Sequence, residues 1–397
     1  MLSSFTKARG EANAVALSQA VEAHKGIGHR GFLGKKGFTW IEKRQFFAKT
    51  IEKPCPWQRG QVLHDNETMT QPNVPPPRIE AGPPAHAHRA DELRQVFFER
   101  VLSGISSPVE LMHTIERVFP PCDSLPALLA QLDELKRCLD SFRPLHAAQV
   151  ERLQAVWDTE YTYESNRIEG NTLTLSETSL VINDGITVGG KSMDEHLEAI
   201  NHKEAVLFLR DIASADEALS ERVIKMLHEL ILKNSKHHDE RGRYRTVPVS
   251  ITGTTYVPPQ PWQVPKLMED LMLHYAAKHP VLHPVALAAD VHAELVGVHP
   301  FIDGNGRTSR LVMNLLLLRA GFPIANISGD RAARVDYYES LNASHLHGQA
   351  EPFRLLVGRY VRKSLIGYLA MVSGNIGDDV KGKGAYFFER MLPKDGV

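Results

Sequence analysis

One stretch constrains this chain more than any other: His299-Pro-Phe-Ile-Asp-Gly-Asn-Gly-Arg-Thr-Ser-Arg310. It sets an imidazole, a carboxylate, an amide, two glycines and two arginines between apolar, helix-like runs, Val285–Val298 before it and Leu311–Leu318 after it. A polar knot between two buried helices is costly unless its groups find partners. Pro300 disfavours the α region for the residue before it, so the first helix is expected to end at or just before His299. Gly304 and Gly306 permit backbone conformations that gather successive N–H groups around one centre. The next helix should begin near Arg307 and add its own unpaired N–H groups to that centre. Arg307 and Arg310 share a helix face, yet they oppose the macrodipole, which prefers acids in a first turn. An anion held in the loop removes that conflict, and Asp303 beside it could hold Mg²⁺ together with phosphate oxygens. A tight interhelical turn with solvated arginines is the plain alternative. It accounts for any one of these residues and leaves the whole set unexplained.

A second group poses the opposite electrostatic problem. Ala147–Ile168 reads as a helix and runs into Ser165-Asn-Arg-Ile-Glu-Gly-Asn171, with Ser165 and Glu169 four apart on one face. Gly170 and Asn171 are good stop residues. A glutamate in a last turn is disfavoured by the macrodipole and gains from a cationic partner. Taken alone, Glu169 reads as a solvated surface acid.

Most of the remaining chain has helical spacing of its apolar residues. Such patterns cover Asp91–Leu102 (with Asp91 as N-cap), Pro108–Val118, Leu125–Phe142, Glu195–Ile212, Ser220–Ile231, Val264–Tyr275, Arg331–Leu346 and Pro352–Val372. The period changes after Arg241-Gly-Arg-Tyr-Arg245. Val247–Thr252 and Thr255–Val257 flank Gly253-Thr254 and predict a lone β-hairpin. A lone hairpin is marginal and must lean on something.

The ends are poorer in pattern. Met1–Lys49 is basic, with a short helix at Asn13–His24, and reads as a poorly ordered arm. Pro54–Arg89 is proline-rich and reads as an extended spacer; Val74–Pro77 could also dock an SH3-type groove. His86 and His88 do not by themselves make a metal site. Gly374–Val397 reads as a tail. The expected division is therefore a disordered basic, Pro-rich segment (1–89), an N-terminal helical region (90–152), a catalytic domain (153–373) and a tail (374–397). At net charge -1 and pI near 7.0 no whole-chain field points to nucleic acid or to a membrane surface. Cys55, Cys122 and Cys138 lie far apart with no CxxC pair, which suits a reducing compartment. With no bilayer-length apolar run and no secretory h-region in Met1–Lys25, a cytoplasmic protein without a membrane is expected.

The stretch 299–310 resembles, residue for residue, the signature of the Fic family, His-x-Phe-x-(Asp/Glu)-Gly-Asn-Gly-(Arg/Lys)-x-x-Arg. Ser165-x-x-x-Glu169-Gly170 likewise matches that family's inhibitory motif, (Ser/Thr)-x-x-x-Glu-(Gly/Asn). The resemblance implies a mainly α fold, a helical bundle with a β-hairpin flap and an inhibitory helix at 153–170. It implies an adenylyltransferase that moves AMP from ATP, with Mg²⁺, onto a Ser, Thr or Tyr hydroxyl of a target protein, which can be the enzyme itself. His299 would be the base. The backbone of Gly304, Asn305, Gly306 and Arg307, with the Asn305 amide, would hold the α-phosphate, although Asn305 could instead cap the following helix. Asp303 would carry the metal, Arg307 the β-phosphate and Arg310 the γ-phosphate. Tyr338 would stack on adenine, and Ile251 and Thr255 in the flap are candidates for aiming the target. Ser165 and Glu169 would lock Arg310, and Glu169 could also serve removal of AMP from the target. Related Doc-type phosphotransferases have lysine where this chain has Gly306, which speaks against that branch. Transfer of another nucleotide or of phosphocholine, a nucleotide-binding adaptor without activity, and a homo-oligomer all stay open at this stage.

Overall fold

The computed structural model describes residues 85–105, 107–145, 147–215, 218–251, 254–374 and 381–392. The expected basic arm, the Asn13–His24 helix and the Pro-rich spacer up to 84 lie outside the described residues. So do Thr252 and Gly253 at the expected hairpin turn. The described residues fall within one compact unit.

Thirteen α-helices are present among the described residues. The first three are α1 (Ala85–Arg100), α2 (Pro108–Val118) and α3 (Leu125–Asp140). Next come α4 (Ala147–Ile168), α5 (Leu175–Asp184), α6 (Met193–Ala213) and α7 (Glu221–Ile231). After an irregular segment follow α8 (Val264–Lys278), α9 (Pro284–Val298), α10 (Asn305–Arg319), α11 (Arg331–His347), α12 (Glu351–Ser373) and α13 (Ala385–Met391).

Local chemistry sets many of these ends. Thr174 with Glu177 and Ser192 with Glu195 form reciprocal capping boxes on α5 and α6. Asp330 accepts from the N–H groups of Ala332 and Ala333 at the start of α11. Pro284 occupies the first position of α9, where its missing N–H costs nothing. α9 and α10 are buried nearly all round, as expected of central helices, and pack against each other. α6 and α7 lean on α10, α4 lies across α6, and α12 covers α9. The connection between the two central helices therefore opens where α4, α6 and α7 converge.

Three expectations change. Asp91 is not an N-cap, because α1 begins at Ala85; its carboxylate instead accepts from the Gly382 N–H at 2.7 Å. The expected tail contains α13, whose Phe387 and Phe388 are fully buried against Phe97 and Phe142. Burying each aromatic side chain is worth about 1.5–3 kcal/mol, enough to order a short helix that propensity alone would not. α2 and α3 thus close over α12, while α1 and α13 pack on each other and α13 rests on α3, all within one core.

The third change concerns the hairpin. Among the described residues there is no strand; 244–251 and 254–260 are irregular chain, followed by a short 3₁₀ turn at Pro261–Gln263. Its anchors run to the domain beneath, not across a ladder. Thr254 Oγ1 bonds Asn342 Oδ1 at 2.5 Å and the Tyr256 hydroxyl donates to the Gly297 carbonyl at 3.1 Å. Arg245, buried, donates to the carbonyls of His299 at 2.8 Å and Val247 at 3.2 Å, and also to that of Pro259. The segment still lies over the 299–310 stretch, held by side chains in place of cross-strand pairing.

Candidate active site

α9 stops where the sequence says it should. Val298 is its last residue, and His299 takes φ 49°, ψ 56°, the one non-glycine residue with positive φ among those described. A left-handed histidine is uncommon and costs energy that the surroundings must repay. The repayment is visible: the His299 N–H bonds the Leu295 carbonyl, and its own carbonyl accepts from Arg245. Its Nδ1 lies 3.2 Å from the Val296 carbonyl, a contact that requires the proton on Nδ1 and leaves the Nε2 lone pair for chemistry. Burial lowers the His299 pKa, and the nearby Arg245 lowers it further, against the opposing pull of the Val296 carbonyl and then of Glu169 and Asp303. The imidazole is therefore neutral at pH 7, as a general base must be.

The loop after it is braced from inside. Asn305 is buried; its Oδ1 accepts from the Phe301 N–H and its Nδ2 donates to the Phe301 carbonyl, each at 2.9 Å. The amide oxygen and one of its two N–H groups thus brace the loop, and Asn305 lies within α10 instead of capping it. Phe301 is fully buried and stacked on the His228 ring at 3.6 Å between centroids. His228 receives the Gly242 N–H on Nδ1 and donates from Nε2 to the Asp303 carbonyl, each at 2.9 Å. Burial lowers its pKa to about 4, so it remains a neutral strut. Gly304 starts α10 at φ 74°, and no side chain caps the first turn of that helix. Its leading N–H groups lack an intrahelical partner and sit at the macrodipole's positive end.

Gly306 is glycine for want of room. It sits inside the first turn of α10 with ordinary helical geometry, and a Cβ there would lie 2.4 Å from Glu169 Oε1. The Glu169 carboxylate therefore rests directly against the first turn of α10.

Arg310 is 1% exposed and fully engaged. Its Nε donates to Ser165 Oγ at 3.0 Å, its Nη2 to the Ser165 carbonyl at 2.9 Å and to Glu169 Oε1 at 2.6 Å, and its Nη1 reaches the Tyr337 hydroxyl at 3.4 Å. The Ser165 carbonyl is one of those left over at the C-terminal end of α4. Burial works against the guanidinium charge, but Glu169 outweighs it, and the Arg310 pKa is raised. The acid misplaced at one helix end and the arginine misplaced near another thus meet. Arg307, almost as deeply buried, pairs with Glu198 at 3.2 Å and faces Asp303 at 3.6 Å. Asp303 accepts from the Gly304 N–H and remains partly exposed. No cluster of three metal-ligating residues occurs among the described residues; in the loop itself Asp303 offers a partly exposed carboxylate. That fits Mg²⁺, which binds through one or two carboxylates together with substrate phosphates.

The other expected residues fall as follows. Tyr338 is half-buried, edge-on to Tyr337 at 5.3 Å, and its neighbour Tyr337 is the tyrosine that touches Arg310. Thr255 is exposed between the anchored Thr254 and Tyr256, and Ile251 is half-buried. Sequence reasoning passed over His228, Glu198, Tyr337 and Arg245 as site residues. Only Arg245 left a local trace, the basic run 241–245 with no acid among its residues.

Comparison with known proteins agrees with this geometry. The model of the Fic/DOC family matches residues 218–317. Protein adenylyltransferase Fic of Nematostella vectensis is 37% identical over 243 residues, 60% of this chain and 56% of that protein. The protein of the same name from Drosophila grimshawi is 37% identical over 245 residues, 61% of this chain and 49% of its own. The chain therefore spans about half the length of the curated relatives it matches. Among solved structures, a fragment of Fic-1 from C. elegans is 31% identical with a TM-score of 0.54, covering 62% of this chain and 71% of that one. A Fic domain containing signaling protein from Bacteroides thetaiotaomicron is 27% identical with the same TM-score, covering 64% of this chain and 98% of its own. With the signature loop, the bundle that carries it and these relatives in agreement, the chain belongs to the Fic family.

Proposed function

We propose that this protein is an adenylyltransferase that moves AMP from ATP onto a Ser, Thr or Tyr hydroxyl of a protein, itself included, and that Glu169 holds it in check. One observation carries the reading: a neutral histidine beside an uncapped helix N-terminus, whose buried Arg310 is occupied by the protein's own carboxylate. Phosphates are the ligand for which the N–H groups of α10, Arg307 and Arg310 are matched.

ATP lies with its α-phosphate at the first turn of α10 and its γ-phosphate on Arg310, in the place of the Glu169 carboxylate. The target's backbone runs along 247–257, gaining the cross-strand bonds that this segment lacks, beside Ile251 and Thr255. The target hydroxyl attacks the α-phosphorus. The bond to the β-phosphate oxygen breaks, pyrophosphate leaves, and the hydroxyl proton passes to His299 Nε2. Asp303 would hold Mg²⁺, which supplies charge neutralisation on the phosphates. What the chain itself provides is orientation and fixed positive charge, the main contributions in phosphoryl-type transfer.

The experiment is incubation of the Glu169→Gly protein with ATP labelled at the α- or the γ-position. Label retained on protein from the α-position alone supports AMP transfer. Retention of γ-label would instead make it a kinase-like phosphotransferase. A second reading assigns the Glu169 carboxylate, which rests against the first turn of α10 in the same loop region as His299, to positioning a water that removes AMP from a modified target. Release of AMP from modified protein by the wild type, and not by Glu169→Ala, is the expected result; equal release by both would exclude it.

A further inference from the structure

Glu198 lies on α6, outside both motifs and outside the segment 218–317 that matches the family model. Its two oxygens face different ways. Oε1 is 3.2 Å from Arg307 Nη1, and Oε2 accepts from Asn171 Nδ2 at 3.0 Å. Asn171 follows the lock residue Glu169 by two positions. It is stapled to the same helix by a second bond, to the Glu195 carbonyl at 3.0 Å. Thr172 adds to the staple: its N–H and its hydroxyl both donate to Glu195 Oε1, at 2.8 and 2.6 Å. The Thr172 hydroxyl first, and then the bonds from Ser192 and the Thr172 N–H, lower the Glu195 pKa to about 2.

Arg307 needs such a partner. Its side chain is 5% exposed, its Nε is buried with no partner, and its other neighbour is Asp303 at 3.6 Å. Without a fixed acid on the α6 side, the guanidinium would be drawn toward Asp303 and away from the mouth of the loop. A carboxylate behind an arginine fixes where its remaining N–H groups point.

We propose that Glu198, held by Asn171, is a positioning residue that aims Arg307 at the β-phosphate of a nucleotide in the loop. The short segment 169–172 then carries the lock on one arginine and the brace for the other. The proposal rests on the reading of the loop as a nucleotide polyphosphate site, and not on transfer of AMP.

Its test is binding, with AMP, ADP and ATP titrated calorimetrically into the full-length Glu169→Gly protein and into the same protein carrying Glu198→Gln or Asn171→Ala. Removing one member of a desolvated charge pair is costly, but Glu198 is partly exposed, so the expected loss is about tenfold in affinity for ADP and ATP. AMP, which has no β-phosphate, should bind each variant alike. Adding Glu198→Gln to Arg307→Ala should change nothing further. Equal losses for AMP and ADP would assign Glu198 a purely structural role, and unchanged or tighter ADP binding would overturn the proposal outright. ADP binding no tighter than AMP in the Glu169→Gly parent would remove the β-phosphate role of Arg307 and the proposal with it. A preserved ADP preference without any AMP transfer would refute the adenylyltransferase reading alone.

Discussion

Replacing Glu169 by glycine removes the 2.6 Å pair with Arg310 and nothing else that Arg310 touches. Breaking a fully buried ion pair costs about 3–5 kcal/mol. Here the glutamate side chain is 32% exposed and the arginine keeps both Ser165 bonds, so the pair is worth about 2 kcal/mol, within the range of a hydrogen bond to a charged group. That sum has two readouts of opposite sign. Without nucleotide the variant is less stable, melting a few degrees lower. With ATP the γ-phosphate no longer competes with a carboxylate, and affinity rises by roughly 30-fold. ADP, which cannot reach Arg310 with a third phosphate, should gain much less. Calorimetric titration of both nucleotides, beside initial rates of self-modification with α-labelled ATP, checks the reasoning. A variant that melts lower but binds ATP no better than the wild type would show that Arg310 is not on the nucleotide's path.

Three further outcomes follow from the site. His299→Ala in the Glu169→Gly background should abolish transfer while leaving ATP affinity within about twofold, since the imidazole acts on the hydroxyl and not on the phosphates. The neutral imidazole is the competent form and burial lowers its pKa below the ordinary 6.5, so the rate should hold as pH falls through 6.5 and decline only beneath it; a decline centred at or above 6.5 would contradict the burial argument. Gly306→Ala drives a Cβ against the Glu169 carboxylate, and its melting temperature should fall by a few degrees, an effect of about 2 kcal/mol that disappears when Glu169 is already glycine; an equal fall in both backgrounds would mean that the clash lies elsewhere.

How much of this was legible in the sequence depended on distance along the chain. The end of α9 at Val298, the limits of α4 and the opposite charge problems at Glu169 and Arg310 are local matters of proline, glycine and helix dipole, and the structure places them accordingly. Asn305 was half legible: flanking glycines suggested a ligand contact, but the carbonyl and N–H of Phe301 four residues back took both ends of its amide. Gly306 was read as a backbone device, whereas what it provides is space for a carboxylate that comes from α4. His228, Glu198 and Tyr337 were not legible, because nothing near them in sequence indicates partners on α10 or in its loop. The same holds for Phe387 and Phe388, two aromatics in a polar tail until the exposed face of α1 and α3 supplies a reason to fold. The hairpin misled in one respect. Its β-rich composition suits strand pairing, yet Arg245, Thr254 and Tyr256 bond to the bundle beneath.

The central claim, that 299–310 is a triphosphate site with a built-in competitor, is tested most directly by a crystal structure of the Glu169→Gly protein with Mg²⁺ and a non-hydrolysable ATP analogue. The account predicts phosphates along the first turn of α10, the α-phosphorus within reach of His299 Nε2, and the γ-phosphate on Arg310 where the Glu169 carboxylate had been. A nucleotide bound elsewhere, or phosphates turned away from Arg310 with the lock removed, would contradict it.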